Sequence, residues 1–370
     1  MRIATFNVEN LFDRARIMNL DDWEDGRSVL DAYASLTKLL EQASYSAADK
    51  VQIAALLTLL GLKDSDMGPY VLLRRNRGAL VTRKASGVLE ITAEGRADWI
   101  GWLELRHAPV NETATRNTGQ VIRDIDADIL AVVEAEDRIA LREFSDTVLK
   151  AVQGTPYANI MVIDGNDDRG IDVGLLTKAG YQIGAMRSHV HDGVPGNRVF
   201  SRDCPEYAVT TPQGEVIWFL INHFKSKGYG DAAANNKRRK AQAEAVAGFY
   251  SRLRAEGFDK VVVMGDLNDT PGSAPLKPLV QDTDLRDVTD HPGFDSGAFA
   301  GKGTYGLGND GDKIDYLLLS PALFARITAA GVFRKGAWPG SRPKRWEVYP
   351  EVQKKIHVAS DHHALWVDIA

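Results

Sequence analysis

Val261-Val262-Val263-Met264-Gly265-Asp266-Leu267-Asn268-Asp269-Thr270-Pro271 is the stretch on which the reading of this chain turns. Four apolar residues, three of them β-branched, predict a short buried strand. Gly265 is expected to end it. Spacing two on an extended backbone puts Asp266 and Asn268 on one side and turns Leu267 into the core. Polar groups at the exit of a buried strand are costly unless they are paired or used. Two readings fit: an Asx-type turn leading into Pro271, or a pair of functional side chains at a sheet end.

Working outward, the same pattern recurs. Residues 2–7 read as a strand delivering Asn7-Val8-Glu9-Asn10. Residues 129–133 are continuously apolar, hence a buried strand, and run into Glu134-Ala135-Glu136-Asp137. Strands are expected near 158–163 and 171–177, the second entered through Arg169-Gly170-Ile171-Asp172, and near 206–211 and 216–222. The last of these ends in Asn222-His223-Phe224-Lys225-Ser226-Lys227. Residues 314–320 open with Lys313-Ile314-Asp315-Tyr316, and the closing strand follows Ser360-Asp361-His362-His363. Helices are expected over 115–125, 141–152 and 237–253, and a long loop over 334–355.

Residues 14–112 have another texture. Leu30, Tyr33, Leu36, Leu39 and Leu40 fall at helical spacing. Ser46 with Asp49 predicts a capping box opening a second helix, with Ile53, Leu56, Leu57 and Leu60 on one face and Gly61 as its stop. Short strands are expected over 70–75, 79–84 and 87–92. Arg74, Arg75, Arg77, Arg83 and Lys84 cluster there, either as a solvated edge or as a phosphate-contacting patch. The expected organisation is a catalytic domain of residues 1–13 and 113–370, interrupted by an insertion at 14–112 made of a helical hairpin and short strands.

The 370 residues can bury a large core, as two domains or as one large β-rich domain with an insertion. An apolar content of 44% and a charged content of 26% describe an ordinary globular protein. A net charge of −5 gives no global attraction to nucleic acid, so any polyanion contact needs a local basic patch. The single cysteine, Cys204, excludes an internal disulfide and suits a reducing compartment. No run is long and apolar enough to span a bilayer. The opening residues read as a strand, not a secretory leader. The expectation is a cytoplasmic protein, or a secreted one if a leader has been trimmed. Oligomeric state is not set at this level.

Six strand termini thus carry Asn7, Glu134, His223, Asp266 with Asn268, Asp315, and Asp361 with His362. Strands packed as a sandwich bring such ends together. Phosphodiester hydrolysis needs this set. A hard divalent cation on carboxylate and amide oxygens neutralises the anionic phosphate and the leaving alkoxide. A carboxylate or histidine takes the proton of the attacking water, and amide and imidazole donors hold phosphoryl oxygens. With one cysteine and no His-x-x-x-His or His-Glu-x-x-His pair, a thiolate or His-rich zinc site is disfavoured.

Thr5-Phe6-Asn7-Val8-Glu9-Asn10, Asp128-Ile129-Leu130-Ala131-Val132-Val133-Glu134, Asn222-His223, Gly265-Asp266-Leu267-Asn268, Lys313-Ile314-Asp315-Tyr316 and Ser360-Asp361-His362 resemble, in this order, the motifs of the endonuclease/exonuclease/phosphatase superfamily. The resemblance covers residues 1–13 and about 115–370. It implies a four-layered α/β sandwich, with two mixed β-sheets packed face to face and helices outside. It implies Glu134 as the main Mg²⁺ ligand, with Asn7 beside the metal or phosphate and Asp361 within reach of the metal; Mn²⁺ and Ca²⁺ are alternatives. It implies Asp266 as the residue that deprotonates water, Asn268 on a phosphoryl oxygen, His362 as base or transition-state donor with Asp315 orienting it, and His223 as acid or phosphate donor. Arg202, Asn222 and Lys225 fall on the substrate side. The family's usual Gln before the metal Glu is Val133 here, which removes a flanking polar group.

The run Asn222 to Gly228, with Arg169 to Val173, looks most like bacterial nuclease-type members. Lys225, Lys227, Lys237, Arg238, Arg239 and Lys240 would then line a duplex, or simply solvate a helix start. The expected activity is divalent-metal-dependent phosphodiester hydrolysis, first of all of DNA by an endonuclease. The alternatives are a phosphomonoesterase or lipid- or inositol-headgroup phosphodiesterase on the same scaffold, and an inactive scaffold whose insertion binds a partner.

Overall fold

A computed structural model of the chain describes residues 1–20, 23–167, 169–194, 197–228, 230–341 and 343–370. It divides into two compact units: Met1–Phe12, Val110–Lys227 and Ala233–Ala370 form one, and Asp13–Pro109 with Gly228–Ala232 the other.

The first unit is built on two mixed sheets. In one, the strands run in the order Phe294–Asp295, Ile327–Phe333, Ala364–Ile369, Arg2–Asn7, Ile129–Ala135, Asp172–Thr177, Asn159–Val162. In the other the order is Gln182–Arg187, Glu206–Thr210, Val216–His223, Val261–Asp266, Asp315–Leu319, Arg286–Asp287. Each sheet has a parallel pair at its middle: Arg2–Asn7 beside Ile129–Ala135, and Val216–His223 beside Val261–Asp266. In register these pairs finish with Asn7 opposite Val133 and His223 opposite Asp266. Both pairs therefore deliver polar residues at their carboxyl ends.

Continuous apolar strands are what a sheet covered on both faces requires. Ile3, Ile129, Ala131 and Val133 face Phe219, Ile221, Val262, Met264 and Leu317 in the core between the sheets. The alternate residues Ala4, Phe6, Leu130 and Val132 pack outward against Val121, Ile122 and Ile125. Those belong to the helix Glu112–Ile125, capped by the Asn111 side chain, which accepts from the Thr113 amide. On the far side Leu220, Val261, Val263 and Leu318 pack against Ala243, Val246, Tyr250 and Leu253 of the helix Ala232–Ala255. Helix, sheet, sheet, helix are the four layers expected.

Several boundaries differ from expectation. The Val261–Asp266 strand runs through Gly265. Gly265 sits at φ +125, and a Cβ there would lie 2.0 Å from the Asn222 carbonyl oxygen, so its role is close approach between the parallel strands rather than termination. The helix expected over 141–152 starts earlier, as Arg138–Glu143, because the Asp137 carboxylate caps the Ile139 and Ala140 amides; it continues as a π-turn over Phe144–Leu149. Gln182–Arg187, Ile327–Phe333 and Ile100–Leu105 are strands with no counterpart among the expected elements.

The second unit has its own core. Leu30, Tyr33, Leu36 and Leu39 of the helix Arg27–Leu40 pack with Ile53 and Leu57 of the helix Ala47–Leu59, and with Val71, Leu73, Trp99 and Leu103. The Ser46–Asp49 capping box is formed in both directions. Arg74 pairs with Glu104, Arg83 with Asp66 and Lys84 with Glu90. Three of the five clustered cations thus have acidic neighbours, as a solvated edge would. No helix among the described residues is long and apolar enough to cross a membrane.

Candidate active site

The site is organised around one atom. Asp266, buried at the end of its strand, carries Oδ2 within 3.0 Å of Asn268 Nδ2, 3.4 Å of Asn7 Nδ2, 3.7 Å of His223 Nε2 and 3.9 Å of His362 Nε2. Asn7 and His223 end separate strands, one in each sheet, His362 lies just before the strand Ala364–Ile369, and Asn268 follows the strand that ends at Asp266.

Asn268 reaches Asp266 by a route different from the extended backbone expected. It lies in the left-handed region, φ 53, and its amide donates to Asp266 Oδ1 at 2.8 Å. This is the Asx turn, and it is also what gathers the two polar side chains; the two readings describe one structure. Asn268 Nδ2 donates as well to the Phe224 carbonyl at 3.1 Å, locking the amide. Leu267 is buried, as its place in the pattern requires.

Glu134 is also held out of ordinary strand geometry. Asp172 pairs with Ala135 but Val173 with Val133, so Glu134 is the extra residue of a β-bulge. Its φ is 66, rare for a residue with a Cβ. The Val8 and Asn10 amides donate to the Val133 and Glu134 carbonyls and fix the bulge from the neighbouring strand. Glu134 Oε1 lies 3.5 Å from His223 Nε2. Left-handed backbone costs of order 1–3 kcal/mol for such a residue, and glycine gives back about 0.5–1 kcal/mol in chain entropy. Glu134→Gly is therefore expected to leave the melting temperature unchanged or raise it, while removing the carboxylate; a clear fall in thermal unfolding would show that the bulge is not strained.

The two histidines are set in opposite states. Burial, then the Arg202 and Arg169 charges, pushes His223 well below the ordinary imidazole range. Arg202 donates to His223 Nε2 at 2.9 Å, so that nitrogen presents its lone pair and the neutral ring carries its proton on Nδ1. Burial would also depress His362. The charge of Asp315 and its hydrogen bond to His362 Nδ1 at 2.8 Å, with Asp266 and Asp361 close by, reverse this and hold His362 well above its usual range. Burial, then Asp315, raises the carboxyl of Asp266. Groups pushed apart in this way are the pattern of an acid–base site.

The remaining candidates divide. Asp361 is partly exposed, and its amide donates to Glu9 Oε2 at 3.2 Å. Arg202 is buried behind His223, its Nε 3.4 Å from Asp167. Asn222 is also buried; its Nδ2 donates to the Leu220 carbonyl, and its Oδ1 has no partner among the described residues. Lys225 is lowered to about 7, by burial first and then by the Arg169 and Arg202 charges. Of the expected duplex-facing cations, Arg239 is buried on Asp269, and Arg238 donates to the Arg198 and Val199 carbonyls.

Glu9 and Tyr305 were not among the expected site residues. Glu9 has φ 52 and holds the Asp361 amide; the only signal was its place two residues after Asn7. Tyr305 bridges His362 through the backbone and sets its ring against the imidazole, centroids 5.0 Å apart. Nothing in the periodicity around it marked it.

Ligand atoms of Asp266, Asp315 and His362 lie within 4.8 Å of one another, close enough for a cation. Asp315 Oδ2 is already committed to His362, and a protonated imidazole has no free lone pair, so this trio fits a hydrogen-bonded catalytic set better than a metal cage. Glu134, Asn7 and Asp361 offer oxygen donors only, the set that suits a hard divalent ion.

Two mixed sheets with acidic, amide and imidazole groups at facing strand ends, under outer helices, define the class of layered phosphoesterases. The sequence profile of the endonuclease/exonuclease/phosphatase family matches residues 90–334, and the chain belongs to that family, whose members hydrolyse phosphoester bonds. Among solved structures, it resembles an endonuclease/exonuclease/phosphatase family protein from Bacteroides thetaiotaomicron at 17% identity, covering 69% of this chain and 86% of that one, with a TM-score of 0.51. It also resembles a mannosyl-6-phosphatase of Bacteroides thetaiotaomicron at 16% identity, covering 70% and 91%, again with a TM-score of 0.51. No curated protein matches the chain.

Proposed function

We propose that the chain is a divalent-metal-dependent phosphodiester hydrolase, with DNA as its first substrate class. What supports this reading is the crowding of Asn7, His223, Asn268 and His362 nitrogens around Asp266 Oδ2. Asp266 accepts the proton of the attacking water. Asn268, its two side-chain N–H groups given to the Phe224 carbonyl and to Asp266 Oδ2, keeps Asp266 aimed. His362, held protonated by Asp315, donates to the charge that builds on the phosphate. His223 holds Arg202 at the site through the lone pair of Nε2. Glu134, with Asn7 and Asp361, would hold Mg²⁺ or Mn²⁺, which when bound neutralises charge on the phosphate and the leaving oxygen.

One observation favours a second reading, a phosphomonoesterase. Arg238 and Arg239 are spent on internal partners, which leaves fewer cations for a duplex. Purified protein should be assayed on plasmid DNA, bis(p-nitrophenyl) phosphate, p-nitrophenyl phosphate and a sugar 6-phosphate, with Mg²⁺ or Mn²⁺ and with EDTA. The expected result is diester cleavage abolished by EDTA. Faster monoester turnover would select the second reading, and no hydrolysis of any of the four would refute both.

A further inference from the structure

One two-stranded sheet of the Asp13–Pro109 unit, Val71–Arg77 against Ile100–Leu105, has one covered face and one bare face. Val71, Leu73, Leu103 and Leu105 point into that unit's core. On the opposite face the register sets Leu72 beside Glu104, Arg74 beside Trp102 and Arg77 beside Ile100. The shift between Arg75 and Arg77 bulges Asn76 out of the ladder. That bulge is what brings Arg77, rather than Asn76, onto the face that carries Arg74. Trp102 is 51% exposed and Ile100 39%.

Arg74 clamps Glu104 through two hydrogen bonds, Nε at 2.8 Å and Nη2 at 2.9 Å. That pair flanks Trp102 on the bare face, and the indole ring is open to solvent.

The facing strand and the turn after it carry charge of one sign. From Met67 to Leu89 the chain has five basic and no acidic residues. Arg74, Arg83 and Lys84 are paired. Arg75 and Arg77 are exposed and make no ion pair among the described residues.

We propose that this face is a stacking platform for single-stranded nucleic acid, with a base on Trp102 and a flanking phosphate on Arg77. A positively lined surface with an exposed aromatic is what sequence-tolerant single-strand binding uses. It deepens the nucleic-acid reading of the active site, on which it rests for its biological sense, by giving the insertion a substrate-holding role.

The test is fluorescence anisotropy of a labelled oligo-dT on the full chain at low salt, with EDTA present to stop turnover. The wild type is expected to bind, with affinity falling as salt rises. Trp102→Ala is expected to weaken binding about tenfold or more, and Trp102→Phe to restore most of it. Arg77→Ala should flatten the log–log salt slope by about 0.7. Thermal unfolding of each variant should match the wild type, since the side chains lie outside the core. Wild-type affinity in both Trp102→Ala and Arg77→Ala overturns the proposal. So does a wild-type dimer that Trp102→Ala dissociates, which would make the face a contact between copies. Because binding is read without turnover, oligo-dT binding by a protein that cleaves nothing would sink the hydrolase reading alone.

Discussion

Asp266→Ala is expected to lower kcat by about 10²–10⁴-fold, the range for loss of a positioned acid–base group, while the protein stays folded. Both halves follow from the same environment. Four side-chain nitrogens lie around Asp266 Oδ2, so removing it takes the hydrogen-bond partner from Asn7 and Asn268 and a nearby carboxyl from His362. Burial, with Asp315 behind it, raises the Asp266 carboxyl. A carboxyl raised on folding binds its proton more tightly folded than unfolded, so stability falls as pH rises from the unfolded value, about 3.9, to the raised folded one. At neutral pH that cost is already present, and the alanine variant escapes it. Denaturant unfolding at pH 7 should therefore show no stability loss attributable to the missing charge. At pH 3, where the carboxyl is protonated in both states, any gain over wild type should vanish. Wild-type kcat, or a variant that unfolds only above pH 7, would contradict the assignment.

The largest effect on stability is expected one turn further along, at Asp269. This residue is buried and accepts Arg239 Nε at 3.1 Å, with Lys227 on its other oxygen. Arg239 is itself buried, and also donates to the Lys225 carbonyl and to Asn236. Asp269→Ala strands the guanidinium without its counter-charge, and breaking one side of a buried pair costs about 3–5 kcal/mol. Urea denaturation should show a midpoint shift of that size at an unchanged slope. A loss below about 1 kcal/mol would mean that Arg239 finds solvent, and would return it to the pool of cations available for substrate.

The contrast between Asp266 and Asp269 also marks how far the residues could be read in advance. Strand ends were legible because each needs only a few neighbours: a β-branched run, then an unmatched polar side chain. The layered sandwich came from the family resemblance of the ordered motifs, and strands buried on both faces are what such layers require. What stayed hidden depended on distant partners. Nothing in the run Ile129 to Glu134 shows that the last residue is squeezed into a bulge by Asp172 across the sheet. Nothing near Arg238 and Arg239 shows that one will be taken by Asp269 and the other by carbonyls at Arg198 and Val199. Gln182–Arg187 escaped because most of its side chains are exposed and carry no apolar alternation. The bare face of the insertion was half legible: its arginines stood out, but Trp102 joins them only through a strand pairing that the local pattern does not announce.

The proposed site makes one demand that ties its parts together, namely that Glu134 holds an ion used by Asp266 and His362. Turnover of bis(p-nitrophenyl) phosphate should therefore be titrated with Mg²⁺ and with Mn²⁺ for the wild type and for Glu134→Gln. The expected result is saturable activation of the wild type, and a variant that is inactive or needs far more metal. Equal metal dependence in the two proteins, or full wild-type activity in EDTA, would contradict it.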